Sequence, residues 1–156
     1  MTDRNIEKHD FIDNKTNKPF SAMILAAGFG KRMLPLTSTI PKPLIKINDI
    51  PLLKNCIDFL FKIGCKKIVI NTHYKHDLIA NFINQFYRSA NIIISYEHEI
   101  LDTGGGVKNA RFFFEDQNVL VINSDIFFIN DNKKDIIKLI NSFFLKDSCK
   151  ILLARK

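Results

Sequence analysis

The 156-residue sequence lacks the usual signs of a zinc-binding, secreted or membrane-spanning protein. Its three cysteines, Cys56, Cys65 and Cys149, are widely spaced and form no Cys-x-x-Cys pair, which disfavours a zinc site. The first residues contain no basic segment followed by an apolar stretch, so the sequence predicts no signal peptide. No uninterrupted apolar run approaches the length of a bilayer span. Together with the free cysteines, these absences favour a cytoplasmic protein with no membrane partner.

Dense basic runs are also missing, although the formal net charge is +7. The lysines are scattered along the chain and do not alternate with aromatic residues, which disfavours nucleic acid as a partner. A basic surface can also attract a small polyanion. We therefore expect a phosphate-rich small molecule as the ligand.

Apolar periodicity predicts one domain over residues 20–156, preceded by a flexible polar extension over residues 1–19. The run from 20 to 27 is apolar and enters a glycine turn, as expected of a buried strand. The same reasoning predicts further extended segments at 44–47, 67–71, 92–96, 119–122 and 151–154, helices at 51–63, 78–86, 107–114 and 136–143, and a loop at 97–106.

Apolar strands that alternate with helices indicate an α/β fold with a doubly wound, mainly parallel sheet. In such sheets, ligands bind beyond the carboxyl ends of the strands. Three unusual loops, at Gly28, Gly104 and Asp125, each follow a predicted strand. We therefore expect these loops to converge on one edge of the sheet.

The first of these loops carries the sequence LAAGFGKRMLPLT at 25–37, followed by PKPL at 41–44. Glycines let backbone N–H groups approach phosphates closely, and Arg32 and Lys42 can neutralise phosphate oxygens. A lone Gly-x-Gly is often only a turn. A dinucleotide-binding site would require a third glycine where Met33 stands, and a P-loop would require Gly-Lys-Ser/Thr. The complete combination is much more specific than any of these alternatives.

The second loop has the sequence LDTGGG at 101–106. Three glycines at the start of a predicted helix leave its N-terminus uncovered, and such N-termini bind anions. A flexible turn is the alternative interpretation of this segment.

The third loop is Asn123-Ser124-Asp125, directly after the apolar segment 119–122. A carboxylate at the end of a buried parallel strand can bring a hard cation to phosphate oxygens. The alternative is that Asp125 caps a helix or forms an Asx-turn.

Several other polar residues near the predicted edge receive no catalytic role from the sequence. His73, Tyr74 and His76 follow the second long strand and are expected to be surface or packing residues. Glu97 and Glu99 precede the LDTGGG loop, and we expect both to be solvated charges.

The combination of motifs resembles the sugar-1-phosphate nucleotidyltransferase family over residues 22–154. The resemblance implies a doubly wound α/β fold and transfer of a nucleoside monophosphate from UTP or GTP to a sugar 1-phosphate, with Mg²⁺ as the cofactor. The LDTGGG segment is similar to the branch that acts on N-acetylmuramate 1-phosphate with UTP, and to mannose-1-phosphate guanylyltransferases.

The resemblance also implies roles for individual residues. The first loop and its arginine would grip the triphosphate, Asp125 would bind Mg²⁺, and Asn123 would face the sugar phosphate. The implied catalytic residues are Arg32, Lys42 and Asp125. The implied nucleotide-binding residues are Ala27, Gly28, Phe29, Gly30, Lys31, Arg32, Lys42, Thr103, Gly104, Gly105 and Asn123.

Family members continue well beyond the strand expected at Ile151, and their second metal-binding aspartate has no counterpart here. The sequence therefore predicts a C-terminally truncated enzyme. The alternative is a nucleotide-binding module, or one half of a split enzyme. Self-association or a complementary C-terminal half would then be the expected protein partner.

Overall fold

The structure is a computed structural model that describes residues 16, 18–114, 118–129, 133–143 and 149–152. Its centre is a four-stranded parallel sheet, flanked on both faces by helices. The sheet strands are β1 (Phe20–Leu25), β4 (Ile68–Thr72), β5 (Ile92–Tyr96) and β6 (Asn118–Asn123), and β2 (Lys46–Ile47) and β3 (Ile50–Pro51) form a separate short antiparallel pair. The helices are α1 (Leu52–Lys62), α2 (His76–Tyr87), α3 (Asp102–Ala110) and α4 (Lys133–Ser142).

Alternation along β1 assigns its side chains to two separate cores. Ala22 and Ile24 face a large core that includes Leu53, Ile57 and Leu60 of α1, together with buried residues of α2 and α4. Met23 faces a smaller core on the opposite side of the sheet, where α3 packs. Because β1 is buried on both faces, its sequence is a continuous apolar run, as expected for a central parallel strand.

The strand order is β5-β4-β1-β6, so the chain first moves outward from β1 and then returns to its other side. This reversal creates a switch point between β1 and β6, where loops from two neighbouring strands diverge. β1 pairs with β6 from Phe20↔Asn118 to Leu25↔Asn123, which brings the ends of both strands to the same level. The predicted doubly wound parallel architecture is therefore confirmed.

The boundaries of α3 differ from the prediction. We expected a loop over residues 97–106 and a helix over 107–114, but α3 begins at Asp102 and includes all three glycines. Glycine disfavours helix by its conformational freedom, so propensity alone indicated a loop. Gly106 is buried in tight contact with the side chains of Glu97 and Asn71, and this close tertiary packing leaves no room for a larger residue.

Two of the predicted segments lie at the ends of the chain. The predicted strand at 151–154 is not seen at Ile151 and Leu152, which are exposed and pair with no described strand. Residues 153 and 154 lie outside the described residues. Most of the predicted extension 1–19 also lies outside them, but the Thr16 N–H donates to the Ile63 carbonyl at 3.1 Å.

No helix in the described ranges combines the length and the apolar character needed to cross a bilayer.

We predict that Leu60→Ala destabilises the protein far more than Leu78→Ala. Both leucines are helical, but Leu60 is fully buried against the sheet whereas Leu78 is 41% exposed. Removing the buried side chain leaves a cavity and should lower the free energy of unfolding by about 2–5 kcal/mol. Leu78→Ala, at the exposed position, should lower the free energy of unfolding by about 0.5 kcal/mol or less. Urea denaturation of both variants measures the difference, and equal midpoints would contradict the assignment of the core.

Candidate functional site

A cavity of about 490 Å³ opens at the carboxyl ends of β1 and β6. Three chain segments line it: the loop after β1, the turn around Lys42, and the end of β6. The Ser124 N–H donates to the Leu25 carbonyl at 3.2 Å and so ties the ends of the two strands together. The lining residues are Leu25, Ala26, Gly28, Gly30, Lys31, Arg32, Met33, Lys42, Pro43, Asn123, Ser124 and Asp125.

The loop after β1 has a defined shape because Gly30 adopts a left-handed conformation with φ +66°. Its carbonyl accepts hydrogen bonds from the Thr37 hydroxyl at 3.0 Å and from the Met33 N–H at 2.9 Å. Thr37 is fully buried, and its own carbonyl accepts a bond from the Tyr74 hydroxyl at 2.8 Å. The loop therefore holds Arg32 at the cavity, exposed and with no ion-pair partner among the described residues.

Lys42 and Asp125 form an ion pair at this cavity, although they lie 83 positions apart in sequence. Both side chains are partly exposed, with relative accessibilities of 23% and 38%. An exposed pair of this kind contributes little to stability, typically about 0–1 kcal/mol. The pair therefore leaves a cation and a carboxylate available to a charged ligand at low energetic cost.

Helix α1 supports the segment that follows Asp125. The Asn55 side chain accepts a hydrogen bond from the Phe128 N–H at 2.6 Å and donates one to the Phe128 carbonyl at 3.0 Å. The ring of Phe128 stacks on Phe59, with a centroid distance of 4.0 Å. The Cys56 thiol lies 3.2 Å from the Ile126 carbonyl. Burial, reinforced by the negative charge of Asp125, raises the pKa of Cys56 to about 12, so this thiol is a packing group at neutral pH.

A second cavity of about 230 Å³ adjoins the first and shares Leu25, Gly28 and Asn123 with it. It extends toward the N-terminal end of α3, where Thr103 and Asp102 contribute to the wall. The full lining is Leu25, Ala27, Gly28, Asn71, Glu97, Ile100, Asp102, Thr103 and Asn123. The two cavities therefore form one continuous groove along the edge of the sheet.

The structure thus brings most of the predicted site residues together on this groove. Three of the predicted residues line neither cavity: Phe29, Gly104 and Gly105. Phe29 instead packs its ring against His73 and Tyr74, at centroid distances of 5.5 Å to each. Gly104 and Gly105 lie within the first turns of α3.

Glu97 is buried, contrary to the prediction from the sequence. We predicted a solvated charge, but the residue is only 2% exposed, and its carboxylate accepts hydrogen bonds from the Asn71 amide and the Leu101 N–H. Glu97 follows the edge strand β5. Its hydrogen-bond partners Asn71 and Leu101 lie 26 and 4 positions away, and no sequence pattern links them to it. Asn71, also buried and also lining the smaller cavity, was missed for the same reason.

Asp125 is the carboxylate among the residues that line the larger cavity. The described part of the chain contains no cluster of three or more His, Cys, Asp or Glu side chains that could hold a metal. Mg²⁺ at phosphate sites is commonly held by one or two carboxylates together with phosphate oxygens. Asp125 therefore fits a metal shared with a phosphate ligand, and the described residues do not supply a cage made of protein alone.

Comparison with known proteins points to one family. The model of the family "Nucleotidyl transferase" matches residues 21–146. The D-glycero-alpha-D-manno-heptose 1-phosphate guanylyltransferase of Aneurinibacillus thermoaerophilus is 36% identical over 113 residues, which cover 72% of this chain and 49% of that protein. The mannose-1-phosphate guanylyltransferase catalytic subunit beta of Dictyostelium discoideum is 35% identical over 108 residues, or 67% of this chain and 30% of that protein.

Solved structures agree with this result. HddC from Yersinia pseudotuberculosis is 31% identical with a TM-score of 0.66, covering 78% of this chain and 54% of that one. A further structure of HddC is a complex with GMP-PN. A UDP-glucose pyrophosphorylase with 19% identity and a TM-score of 0.67 shares the fold. The chain spans about half the length of the first curated relatives that it matches.

We predict that Gly30→Ala destabilises the protein and that Gly28→Ala does not. At Gly30, a new Cβ would lie 2.8 Å from Thr37 Cγ2, on a backbone with positive φ. The left-handed conformation alone costs a non-glycine residue about 1–2 kcal/mol. At Gly28, a Cβ would meet nothing within 4 Å. Thermal melting should therefore show a loss for Gly30→Ala only, and equal melting temperatures would contradict the described loop.

Proposed function

The chain belongs to the nucleotidyl transferase family, and from this premise we propose that it transfers GMP from GTP to a sugar 1-phosphate. The products would be a GDP-sugar and pyrophosphate. The observation that carries the proposal is the meeting of Arg32, Lys42 and Asp125 on one cavity, two of them already in an ion pair. Of the two nucleotides considered from the sequence, GTP is favoured because the relatives named above are guanylyltransferases.

The shape and charge of the groove suit a nucleoside triphosphate. The larger cavity, with three cationic side chains and a glycine loop, would take the phosphates, because close backbone N–H groups and fixed cations neutralise polyanions. The smaller cavity, between Gly28 and Thr103, would take the nucleoside. Asn123 lines both cavities and would lie beside the reacting phosphates.

The reaction needs no protein nucleophile. An oxygen of the sugar phosphate forms a bond to the α-phosphorus of GTP, and the bond from that phosphorus to the bridging oxygen of the β-phosphate breaks. Both reactants are polyanions, so catalysis rests mainly on alignment and charge neutralisation. In this scheme Arg32 binds the departing phosphates. Lys42 breaks its ion pair with Asp125 and binds the same phosphates.

We propose Mg²⁺ as the cofactor, with Asp125 as its ligand from this chain and phosphate oxygens as the others. When bound, the ion would supply positive charge beside the phosphates that react. The release of Asp125 by Lys42 would give the carboxylate to the metal and the ammonium group to the nucleotide. Cytoplasmic location stays a prediction from the sequence.

A second candidate is nucleotide binding without turnover, as a module or as one half of a split enzyme. The observation that favours it is that both cavities suit a nucleotide, whereas among the described residues only Asn123 is assigned to the sugar phosphate. A complementary C-terminal polypeptide would then restore turnover.

We predict pyrophosphate release when the protein is incubated with Mg²⁺, GTP and either mannose 1-phosphate or a heptose 1-phosphate. Release should be faster with GTP than with UTP, and absent without the sugar phosphate. Binding of GTP by calorimetry, measured in parallel, separates the two candidates. Binding without release supports the module, whereas a folded protein that neither binds GTP nor releases pyrophosphate contradicts both.

We predict that Arg32→Ala weakens GTP binding by about 10–100-fold, the usual loss when a hydrogen bond to a charged group is removed. Arg88→Ala is the matched control, because Arg88 is also an exposed arginine but lines neither cavity. Both variants should melt at the wild-type temperature, since exposed charges contribute little to stability. Equal affinities for the two variants would exclude the role given to Arg32.

A further inference from the structure

A buried chain of hydrogen bonds runs beneath the groove and connects its two cavities. The Ala26 N–H, directly after β1, donates to Asn71 Oδ1 at 2.8 Å. Asn71 Nδ2 donates to Glu97 Oε1 at 2.8 Å, and the Leu101 N–H donates to Glu97 Oε2 at 3.2 Å. Two side chains thus link the start of the glycine loop to the residue immediately before α3.

The chemistry of the two ends allows only one arrangement of this chain. Both ends are backbone N–H donors, and the Glu97 carboxylate can only accept. If the Asn71 amide were rotated by half a turn, its NH₂ group would face the Ala26 N–H and its oxygen would face the carboxylate. Both of those contacts are repulsive, so the donor and acceptor order selects a single amide orientation.

The residues packed around this hydrogen-bond chain prevent its side chains from moving. Asn71 is 3% exposed and Glu97 is 2% exposed. A Cβ on Gly106 would lie 2.8 Å from Glu97 Oε1 and 2.9 Å from Asn71 Nδ2, so α3 is closed tightly over the pair. No ion pair of the described residues includes Glu97, and a buried carboxylate without a cation is costly. Core packing alone does not account for this polar pair, which lines the smaller cavity.

We propose that Asn71 is a positioning residue that holds the glycine loop after β1 and the N-terminal end of α3 in the arrangement that binds nucleotide. A ligand that spans both cavities needs Gly28 and Thr103 at a set separation. Each lies two residues after a backbone N–H group, of Ala26 or Leu101, that the hydrogen bonds hold in place. This inference rests on the proposed function, because it assigns Asn71 a task in nucleotide binding.

The test uses the 156-residue chain and exchanges the donor and acceptor groups of the pair. Asn71→Asp is isosteric and keeps an acceptor for the Ala26 N–H, but it places a carboxylate against Glu97, where two acceptors repel. Adding Glu97→Gln restores a donor between the two side chains and still leaves an acceptor for the Leu101 N–H. Asn91→Asp is the matched control, because Asn91 is exposed and its amide bonds only the Lys66 carbonyl among the described contacts.

Two measurements are made on each protein: amide hydrogen exchange at Ala26 and Leu101, and affinity for GTP and for inorganic pyrophosphate with Mg²⁺. Pyrophosphate affinity reports on the glycine loop alone, because pyrophosphate has no base to place in the smaller cavity. For Asn71→Asp we expect faster exchange at both amides and affinities lower by about tenfold or more. The double variant should recover slow exchange and pyrophosphate affinity, and Asn91→Asp should match the wild type.

Wild-type affinities for both ligands in a folded Asn71→Asp variant would overturn the inference. If that variant does not fold, the double variant decides: recovered pyrophosphate affinity supports the positioning role, and a folded double variant with weak affinity refutes it. Failure of the proposed function is distinguishable, because it would appear as a wild-type protein that binds neither GTP nor pyrophosphate.

Discussion

Parallel pairing of β1 with both β4 and β6 is the constraint on which the rest of this structure depends. It places the carboxyl ends of three strands at one edge, and the reversal of strand order separates the loops that follow β1 and β6. The groove, the glycine loop and Asp125 all occupy this edge. Apolar burial on both faces of β1 stabilises the pairing, so the core determines where the polar residues meet.

Charge at the edge is arranged with little cost to stability. Lys42 and Asp125 neutralise one another while partly exposed, and Arg32 remains in solvent. A ligand that brings phosphates and a metal ion could replace this single ion pair with two stronger sets of contacts. The site is therefore compatible with both a free and a ligand-bound state, and the charged residues described at this end of the groove are not buried.

The opposite end of the groove follows a different principle. Here Glu97 is buried, Asn71 supplies its donor, and α3 carries three successive glycines despite their low helix propensity. These features depend on one another, because a side chain at Gly106 would collide with the Asn71–Glu97 pair. Close packing of backbone against polar side chains gives this end of the groove a defined shape at the expense of local propensity.

The sequence by itself determined the fold class, the alternation of the main sheet strands with helices, and about half of the residues that line the groove. Apolar runs and helical spacing are local signals, and the motif around Gly28, Arg32 and Lys42 is contiguous enough to be read directly. Only the tertiary structure decided that α3 starts at Asp102, that Glu97 is buried on Asn71, and that Lys42 pairs with Asp125. These features depend on contacts between residues up to 83 positions apart, whose energies appear only when the sheet brings the segments together.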